Sequence, residues 1–175
     1  RALVLVPEIA LTPQLVERFR GRFGDDVVVL HSALNARARG AAWRRLHRGA
    51  AGIALGTRSA IFAPLGGLGI VVVDEEHDGS FKQDESPRYS ARDLALVRAR
   101  SAGAICVLGS ATPSLESVVN ARRGLLSRLL LPGRATTRPL PTVEVVDLRV
   151  DRPAYGAIFS DRLAAAVDEA LAAGE

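Results

Sequence analysis

Six short runs of hydrophobic residues alternate along the chain with segments in which apolar positions recur every three or four residues. The runs are rich in Val, Ile and Leu and lie at residues 2–6, 27–30, 53–55, 70–73, 104–108 and 143–146. Continuous apolar runs of this length, ended by Gly, Asp or Pro, are typical of strands that are buried on both faces of a parallel sheet. The alternation therefore predicts an α/β fold in which helices cover a mainly parallel sheet.

The segments between these runs begin with residues that cap helices. Thr12 stands directly before Pro13, and Ser90 begins a Ser-x-x-Asp pattern, both of which are typical of a helix N-terminus. Such signals predict helices that begin near Thr12, Asn35, Ser90, Thr112 and Ser160. Gly49 and Gly174 predict the ends of the second and the last of these helices.

A change of composition divides the chain. Residues 132–141 (PGRATTRPLP) contain three prolines and no hydrophobic periodicity, as a linker does. We expect one domain over residues 1–131 and the opening of a second over residues 142–175. The second stretch holds a single predicted strand and a single helix, which is too little for a core of its own.

The composition excludes several classes of protein. The 175 residues are 48% hydrophobic and 24% charged, which is typical of a folded globular domain and not of a disordered chain. The single cysteine, Cys106, cannot form an internal disulfide or build a four-ligand zinc site. No apolar run approaches the roughly 20 residues that span a bilayer, so we expect a cytoplasmic protein without a membrane partner.

Positive charge is carried almost entirely by arginine. The net charge is +4, and Lys82 is the only lysine among 23 basic residues. Guanidinium groups bind phosphate in a bidentate way, so this composition favours a polyanionic partner. A coding bias toward arginine explains it equally well. In the second predicted helix we expect Trp43 and Leu46 to face the sheet and the arginines to point largely outward.

One nucleotide-binding motif is absent from this sequence. A Walker A loop needs a Gly-Lys pair, and the only lysine in the chain follows Phe81. Any nucleotide site that these residues form is therefore incomplete.

The strongest chemical signal is the DEEH segment, residues 74–77, which directly follows the hydrophobic run 70–73. Ligands of parallel sheets bind beyond the carboxyl ends of the strands, so we expect Asp74 and Glu75 to project into a ligand crevice. In phosphoryl transfer one such carboxylate holds Mg²⁺ and the next orients the attacking water. The alternative is a solvated acidic turn, which would suit two carboxylates alone better than the full segment.

Three further polar segments follow predicted strands. Ser110 and Thr112 come after the run 104–108, and short hydroxyls at this point can hydrogen-bond a catalytic carboxylate. Thr112 is equally well explained as a helix cap. The segments 6–14 and 56–59 offer amides, hydroxyls and an arginine to phosphate, or they are ordinary turns. All of them lie at one edge of the predicted sheet, and this shared edge favours a common site.

Several segments together carry a family resemblance. They are VPEIALTPQ, HSALNARAR, GTRSAIFAP, VVVDEEHDGSFKQDE, RYSARDLALVRAR and LGSATPSLES. Over nearly the whole chain they closely resemble the primosomal replication-restart helicases, a group within the superfamily 2 DNA helicases. The resemblance implies a three-layer αβα RecA-like lobe of the P-loop NTPase type, incomplete at its N-terminus because the Walker A loop lies upstream. It makes residues 142–175 the start of a second lobe.

The resemblance implies a catalytic site with ATP and Mg²⁺ as cofactors. Its catalytic residues would be Asp74, Glu75, Glu76 and His77. Asp74 and Glu75 would hold Mg²⁺ and activate water. The state of the nucleotide would pass from His77 to the cofactor-site residues Ser110 and Thr112. The residues along a single-stranded DNA track would be Pro7, Glu8, Thr12, Gln14, Gly56, Thr57 and Arg58.

The aromatic loop, residues 78–89 (DGSFKQDESPRY), resembles the loop that couples DNA binding to ATP hydrolysis in this helicase group. Phe81 and Tyr89 would stack on bases, so Phe81→Ala would uncouple hydrolysis from DNA. The residues that would face phosphate are Lys82, Arg88 and Arg92. The alternative is a surface loop whose aromatic residue packs against its own helix.

The implied function is that of an ATP-dependent 3′-to-5′ DNA helicase that acts at stalled replication forks in primosome assembly and replication restart. Its partners would be single-stranded and forked DNA, the single-stranded DNA-binding protein and other primosome proteins, at the nucleoid of the bacterial cytoplasm. This chain would be an inactive part of that helicase, and zinc would bind only in a part outside this chain.

Two other functions fit these residues. A non-catalytic module derived from a helicase lobe would bind DNA or primosome proteins without ATP turnover, and the absent Gly-Lys pair favours it for this chain. The intact DEEH segment favours a working ATPase in the longer parent protein. A different superfamily 2 motor, such as a restriction-enzyme translocase, is disfavoured only by the resemblance of the segment GSFKQDESPRYSARD.

Overall fold

The computed structural model describes residues 1–133, 142–150, 153 and 158–174. Its contacts divide the chain into two compact units, Arg1–Arg128 and Leu129–Glu175. The predicted linker, residues 132–141, lies outside the described residues from position 134 onward.

The first unit is built on a five-stranded sheet in which all neighbouring strands are parallel. Its strands are β1 (Ala2–Leu5), β2 (Val27–Leu30), β3 (Ile53–Gly56), β4 (Ile70–Val73) and β7 (Ile105–Leu108). They lie in the spatial order β2-β3-β1-β4-β7. Between β4 and β7 along the chain, β5 (Lys82–Gln83) and β6 (Tyr89–Ser90) form a small antiparallel pair. The predicted α/β fold with a mainly parallel sheet is confirmed.

Helices connect the strands and mostly begin at the predicted caps. They are α1 (Pro13–Phe23), α2 (Ala36–His47), α3 (Ala91–Ala102), α4 (Leu115–Arg122) and, in the second unit, α5 (Asp161–Ala173). The Thr12 hydroxyl accepts the N–H of Leu15, and the Ser90 hydroxyl accepts the N–H of Asp93. Each bond satisfies an N–H that the first turn of a helix leaves without an intrahelical partner.

The two faces of the sheet carry separate hydrophobic clusters. On one face, Leu46 of α2 and Ala95 of α3 pack with the strands. On the other face, α1 contributes Leu15, Val16 and Phe19. Helices therefore cover both faces, and the first unit is a three-layer αβα lobe of the RecA-like type.

Three predictions of local structure are wrong. Trp43 is 38% exposed, because the inward positions of α2 are Ala42 and Leu46. Ser114, not Thr112, caps α4, since its hydroxyl accepts the N–H of Ser117 in the first turn of that helix. Residues 143–146 form no strand, because no described strand pairs with them.

Candidate active site

Four strands end side by side at one edge of the sheet. Leu5 of β1 is in register with Gly56 of β3 and with Val73 of β4. Val73 is in turn in register with Leu108 of β7. The polar segments that follow these strands therefore emerge next to one another, as the sequence predicts. One backbone hydrogen bond extends the pairing further, from the N–H of Asp74 to the Leu5 carbonyl at 2.9 Å.

Asp74 and Glu75 form a tight turn at the end of β4. Asp74 is exposed, and its Oδ1 atom accepts the N–H of Glu75 at 3.1 Å. Glu75 has a φ of 47°, in the left-handed region that costs a non-glycine residue roughly 1–2 kcal/mol. The next residue is fixed because the N–H of Glu76 donates to the Gly109 carbonyl at 3.0 Å. Backbone strain that is held in this way by neighbouring contacts is common at active sites.

The carboxylate of Glu76 lies buried among donors from α3 and α4. Oε1 accepts the N–H of Ser114 at 2.7 Å, and Oε2 accepts the hydroxyls of Ser114 at 2.9 Å and Ser117 at 3.0 Å. The side chain is 1% exposed. A charged group is kept out of water only where such donors replace its hydration. Glu76 therefore anchors the end of β4 to the first turn of α4.

Arg92, near the start of α3, completes this cluster. Its Nη1 atom lies 3.5 Å from Glu76 Oε2 and donates to the Ser114 hydroxyl at 3.0 Å. Its Nε atom donates to Asp93 at 3.0 Å, and Nη1 lies 3.7 Å from Glu116. With the side chain only 12% exposed, the guanidinium is engaged by carboxylates of its own lobe. The prediction that Arg92 faces DNA phosphate does not fit this position.

The imidazole of His77 links the DEEH segment to the segment after β7. Its Nδ1 atom lies 2.8 Å from the Ser110 hydroxyl, and its Nε2 atom lies 3.5 Å from the Thr112 hydroxyl. The Ser110 hydroxyl also accepts the N–H of Thr112 at 2.9 Å. The Glu75 carboxylate lies 3.6 Å from the same Nδ1 atom. The structure thus brings together residues that are 33 or more positions apart in the chain.

The aromatic loop begins with a short 3₁₀ turn, Gly79–Phe81, that is capped by Asp78. Hydrogen bonds from the hydroxyl and the N–H of Ser80 hold the pKa of Asp78 below its usual value. The Arg58 guanidinium ties the loop to the sheet, because it donates to the carbonyls of Ser80 at 3.2 Å and Lys82 at 2.5 Å. The first half of the loop is therefore part of the folded lobe.

The aromatic side chains of the loop do not lie as the sequence predicts. Phe81 is 2% exposed and belongs to the core that α3 covers, so it has no face free for a base. Tyr89 is half-buried, with its ring edge-on to Phe62 at a centroid distance of 5.1 Å. The basic side chains Lys82 and Arg88 are exposed, and they remain candidates for phosphate contact.

Several residues of the predicted DNA track serve the local fold. Thr12 caps α1, and Pro7 and Thr57 are buried. A Cβ atom on Gly56 would lie 2.2 Å from the Leu30 carbonyl oxygen, so close packing against β2 requires glycine there. Gln14 is exposed.

Glu8, the other exposed member of the predicted track, is tied to a residue that the sequence prediction missed. Its Oε1 atom accepts the Ser32 hydroxyl at 2.5 Å. Ser114 and Ser117, which hold Glu76, were also missed. Their Ser-x-x-Ser spacing at the start of α4 was the available signal, but its partner lies 38 or more residues away and cannot be read from spacing.

Asp74, which is exposed, and Glu75, which is half-buried, offer oxygen ligands of the kind that Mg²⁺ prefers. That ion commonly takes one or two protein carboxylates and completes its shell with water and substrate phosphates, so the pair fits it. Within residues 1–133, 142–150, 153 and 158–174, no three His, Cys, Asp or Glu side chains are grouped so as to hold a metal ion by themselves. In that same part of the chain, no helix has the length and apolar character to cross a membrane.

Comparison with known proteins finds similar sequences over most of the chain. Residues 1–121 match the family model described as DEAD/DEAH box helicase. Replication restart protein PriA of Bacillus subtilis is 46% identical over 99% of this chain and 22% of its own length. The PriA proteins of Synechocystis and Haemophilus influenzae are 49% and 47% identical, over 95% and 85% of this chain. The chain spans about a fifth of the length of these relatives.

Proposed function

Because the chain belongs to the DEAD/DEAH box helicase family, we propose that it is the first motor lobe of a replication-restart helicase and supplies part of its ATP-hydrolysing site. The observation that carries this proposal is the contact of His77 with Ser110 at 2.8 Å, which joins the carboxylates after β4 to the hydroxyls after β7. A site that both hydrolyses a nucleotide and reports on it needs such a link between its acidic and its hydroxyl-bearing strand ends.

We assign the roles by position. Asp74, exposed at the end of β4, would hold the Mg²⁺ side of the nucleotide, and Glu75 would orient the attacking water. When bound, ATP would supply the phosphoryl group and Mg²⁺ would offset the negative charge of that group. His77 would respond to the presence of the phosphoryl group through the Glu75 carboxylate, which lies 3.6 Å from its Nδ1 atom. It would pass that response to Ser110 through their hydrogen bond. Glu76 would act as a positioning residue, since its oxygens are taken up by α3 and α4.

For the whole protein we propose an ATP-dependent DNA helicase that moves 3′-to-5′ and acts at stalled forks in the bacterial cytoplasm. Its partners would be forked and single-stranded DNA, the single-stranded DNA-binding protein and other primosome proteins. The relatives named replication restart protein PriA support this proposal. Residues 142–175 would open the second lobe. The 175-residue chain alone would turn over no ATP, because it contains no Gly-Lys pair.

The test is the ATPase rate of the full-length protein with and without forked DNA. We expect DNA to stimulate the wild type and Glu75→Gln to abolish turnover while ATP binding is kept, because the amide preserves shape and removes the charge that orients water. Glu17→Gln makes the same chemical change on the exposed surface of α1 and should leave the rate unchanged.

Two outcomes would contradict the proposal. Fork binding without any ATP turnover by the wild type would favour the alternative of a non-catalytic loading module. Turnover by the isolated 175-residue chain that Glu75→Gln abolishes would show that the Walker A lysine is not needed.

A further inference from the structure

Helix α2 presents a stripe of arginines on the side opposite its buried face. Arg37, Arg44 and Arg48 are exposed, and Arg48 is the C-cap residue that directly follows the helix. At 3.6 residues per turn, these three positions fall within one narrow strip about half a turn away from Leu46. Leu46 is fully buried against the sheet. The three side chains, which we call the α2 arginine stripe, therefore point away from the lobe.

The other two arginines of α2 are used by the fold. Arg39 donates to the carbonyls of Ser32 and Leu34, both at 3.1 Å. Arg45 donates to the carbonyl of Asp25 at 2.5 Å. The side chains of the stripe, by contrast, make no hydrogen bond or ion pair with any residue in the described part of the chain. Arg39 and Arg45, which lie outside the stripe, hold neighbouring loops in place. The side chains of the stripe make no such contact with the residues that the structure describes.

The stripe is unfavourable for the helix that carries it. Arg44 and Arg48 are four residues apart on one face, a spacing at which like charges destabilise a helix by about 0.2–0.5 kcal/mol. From Asn35 to Arg48 the sequence contains five arginines and no Asp or Glu. A solvated face that served solubility alone would be expected to mix both signs. Uncompensated positive charge of this kind is typical of a surface that binds a polyanion.

We propose that the α2 arginine stripe is a binding surface for the phosphate backbone of duplex DNA. It is separate from the candidate active site formed by Asp74, Glu75, His77 and Ser110, which we call the strand-end site. The inference rests on the proposed function. At 1.5 Å per residue, the stripe spans about 16 Å along the helix, or roughly five phosphate steps of one strand of B-form DNA. A straight helix places these three residues in a line, which suits a regular duplex backbone better than a flexible single strand.

The position of α2 supports duplex DNA as the occupant. Its N-cap, Asn35, follows β2, whose last residue, Leu30, is in register with Gly56 at the edge where the predicted DNA contacts lie. From that edge the helix runs back along the lobe, so Arg37 is nearest to the strand-end site and Arg48 is farthest from it. A duplex bound along the stripe would be directed toward the strand-end edge. This is the direction expected of the double-stranded DNA that lies ahead of a translocating motor.

The test uses the salt dependence of duplex binding by the full-length protein without nucleotide. We compare the wild type with the triple variant R37Q/R44Q/R48Q, on a labelled 20-base-pair duplex. Loss of three phosphate contacts should lower the slope of log affinity against log salt by about 2.7 and weaken binding at 0.1 M salt by roughly ten- to hundredfold. The charge-keeping variant R37K/R44K/R48K should retain most of the slope.

A matched control removes the same charge elsewhere. Arg100, Arg122 and Arg123 are exposed at the ends of α3 and α4, and R100Q/R122Q/R123Q should leave the slope near that of the wild type. The stripe variant should also be at least as stable to heat as the wild type, because it loses only like-charge repulsion.

The outcomes separate this inference from the proposed function. An unchanged slope in the stripe variant, or equal losses in both triple variants, would overturn the inference while DNA-stimulated ATP turnover by the wild type upheld the motor. The inference would also be overturned if the stripe variant kept its affinity for duplex DNA but lost the binding of a polyglutamate peptide that the wild type shows. That result would favour an acidic protein partner. A wild type that neither turned over ATP nor bound any DNA would refute the proposed function itself.

Discussion

Glu76 and Arg92 are paired in the interior of the lobe, with 3.5 Å between a carboxylate oxygen and a guanidinium nitrogen. Glu76 directly follows the strained Glu75, and Arg92 is the second residue after β6, the strand in which the aromatic loop ends. The pair thus joins the turn that carries the proposed catalytic carboxylate to the helix that follows the proposed DNA-coupling loop. Ser114, bound to both side chains, adds α4 to the same cluster.

We expect Arg92→Ala to destabilise the chain by about 3 kcal/mol, because it leaves a buried carboxylate without its cation. Glu76→Ala should be similarly costly. The double variant should be less costly than the sum of the two single variants, with a coupling of about 1–3 kcal/mol. Urea denaturation of the three variants measures this cycle. Arg100→Ala, on the exposed end of α3, is the control and should change little. Additive effects would show that the pair is not coupled.

The contact between His77 and Ser110 predicts a second non-additive pair. In the full-length protein, His77→Ala and Ser110→Ala should each lower DNA-stimulated ATP turnover by about five- to tenfold, the value of one hydrogen bond. The double variant should be no slower than the slower single variant, because both remove the same bond. Ser101→Ala on the surface of α3 serves as the control. A double variant whose loss equals the product of the two would count against a shared link.

The sheet could be predicted from sequence because its strands are continuous apolar runs. β2 and β4 lie at their predicted bounds, since strands buried on both faces need apolar side chains at every position. The strand-end location of the DEEH segment followed from the same pattern. The cap of α4 could not be predicted in this way, because it depends on contacts between residues that are distant in the chain. Two hydroxyl residues on either side of Pro113, Thr112 and Ser114, are both possible caps for α4. Ser114 is the cap in the structure, where it also binds the distant Glu76.

Cys106 on β7 should be a slow nucleophile while the lobe is folded. Burial raises the pKa of its thiol from 9.0 to about 11. The thiolate is the reactive form, so at pH 9 roughly a hundredth of the folded protein would carry it, against about half of the unfolded chain. Labelling by a thiol reagent should accelerate roughly fiftyfold when urea unfolds the chain. A labelling rate at pH 9 that did not change on unfolding would contradict the raised pKa of this partly buried thiol.

The same shift predicts how stability depends on pH. The folded state binds the thiol proton more tightly than the unfolded state does. The contribution of Cys106 is therefore fully present below pH 9 and is lost as the pH rises toward 11. Cys106→Ala should remove this part of the alkaline decline. Comparing the unfolding midpoints of the two proteins between pH 8 and 11 provides the measurement.

Gly56 and Gly21 should respond in opposite ways to the same substitution. A Cβ on Gly56 would meet the Leu30 carbonyl oxygen at 2.2 Å, whereas a Cβ on Gly21 in α1 would meet nothing within 4 Å. Gly56→Ala should therefore lower stability by about 1–3 kcal/mol through overpacking. Gly21→Ala should raise it by about 0.5–1 kcal/mol, because alanine favours the helix. Thermal unfolding of both variants checks the pair, and a Gly56→Ala variant as stable as wild type would refute the close packing.

Phe81 provides the sharpest choice between a packing role and a base-stacking role. Its ring is 2% exposed in the core under α3, so Phe81→Ala should cost about 3–5 kcal/mol of stability and lose activity through unfolding. Phe81→Leu keeps an apolar side chain and should lose less than about 1.5 kcal/mol, with DNA-stimulated ATP turnover retained. Lys82→Gln, at the next and exposed position, should keep stability and weaken the stimulation instead. If Phe81→Leu kept its stability but lost the stimulation, the aromatic ring itself would have to reach DNA, and the core would have to release it for each cycle.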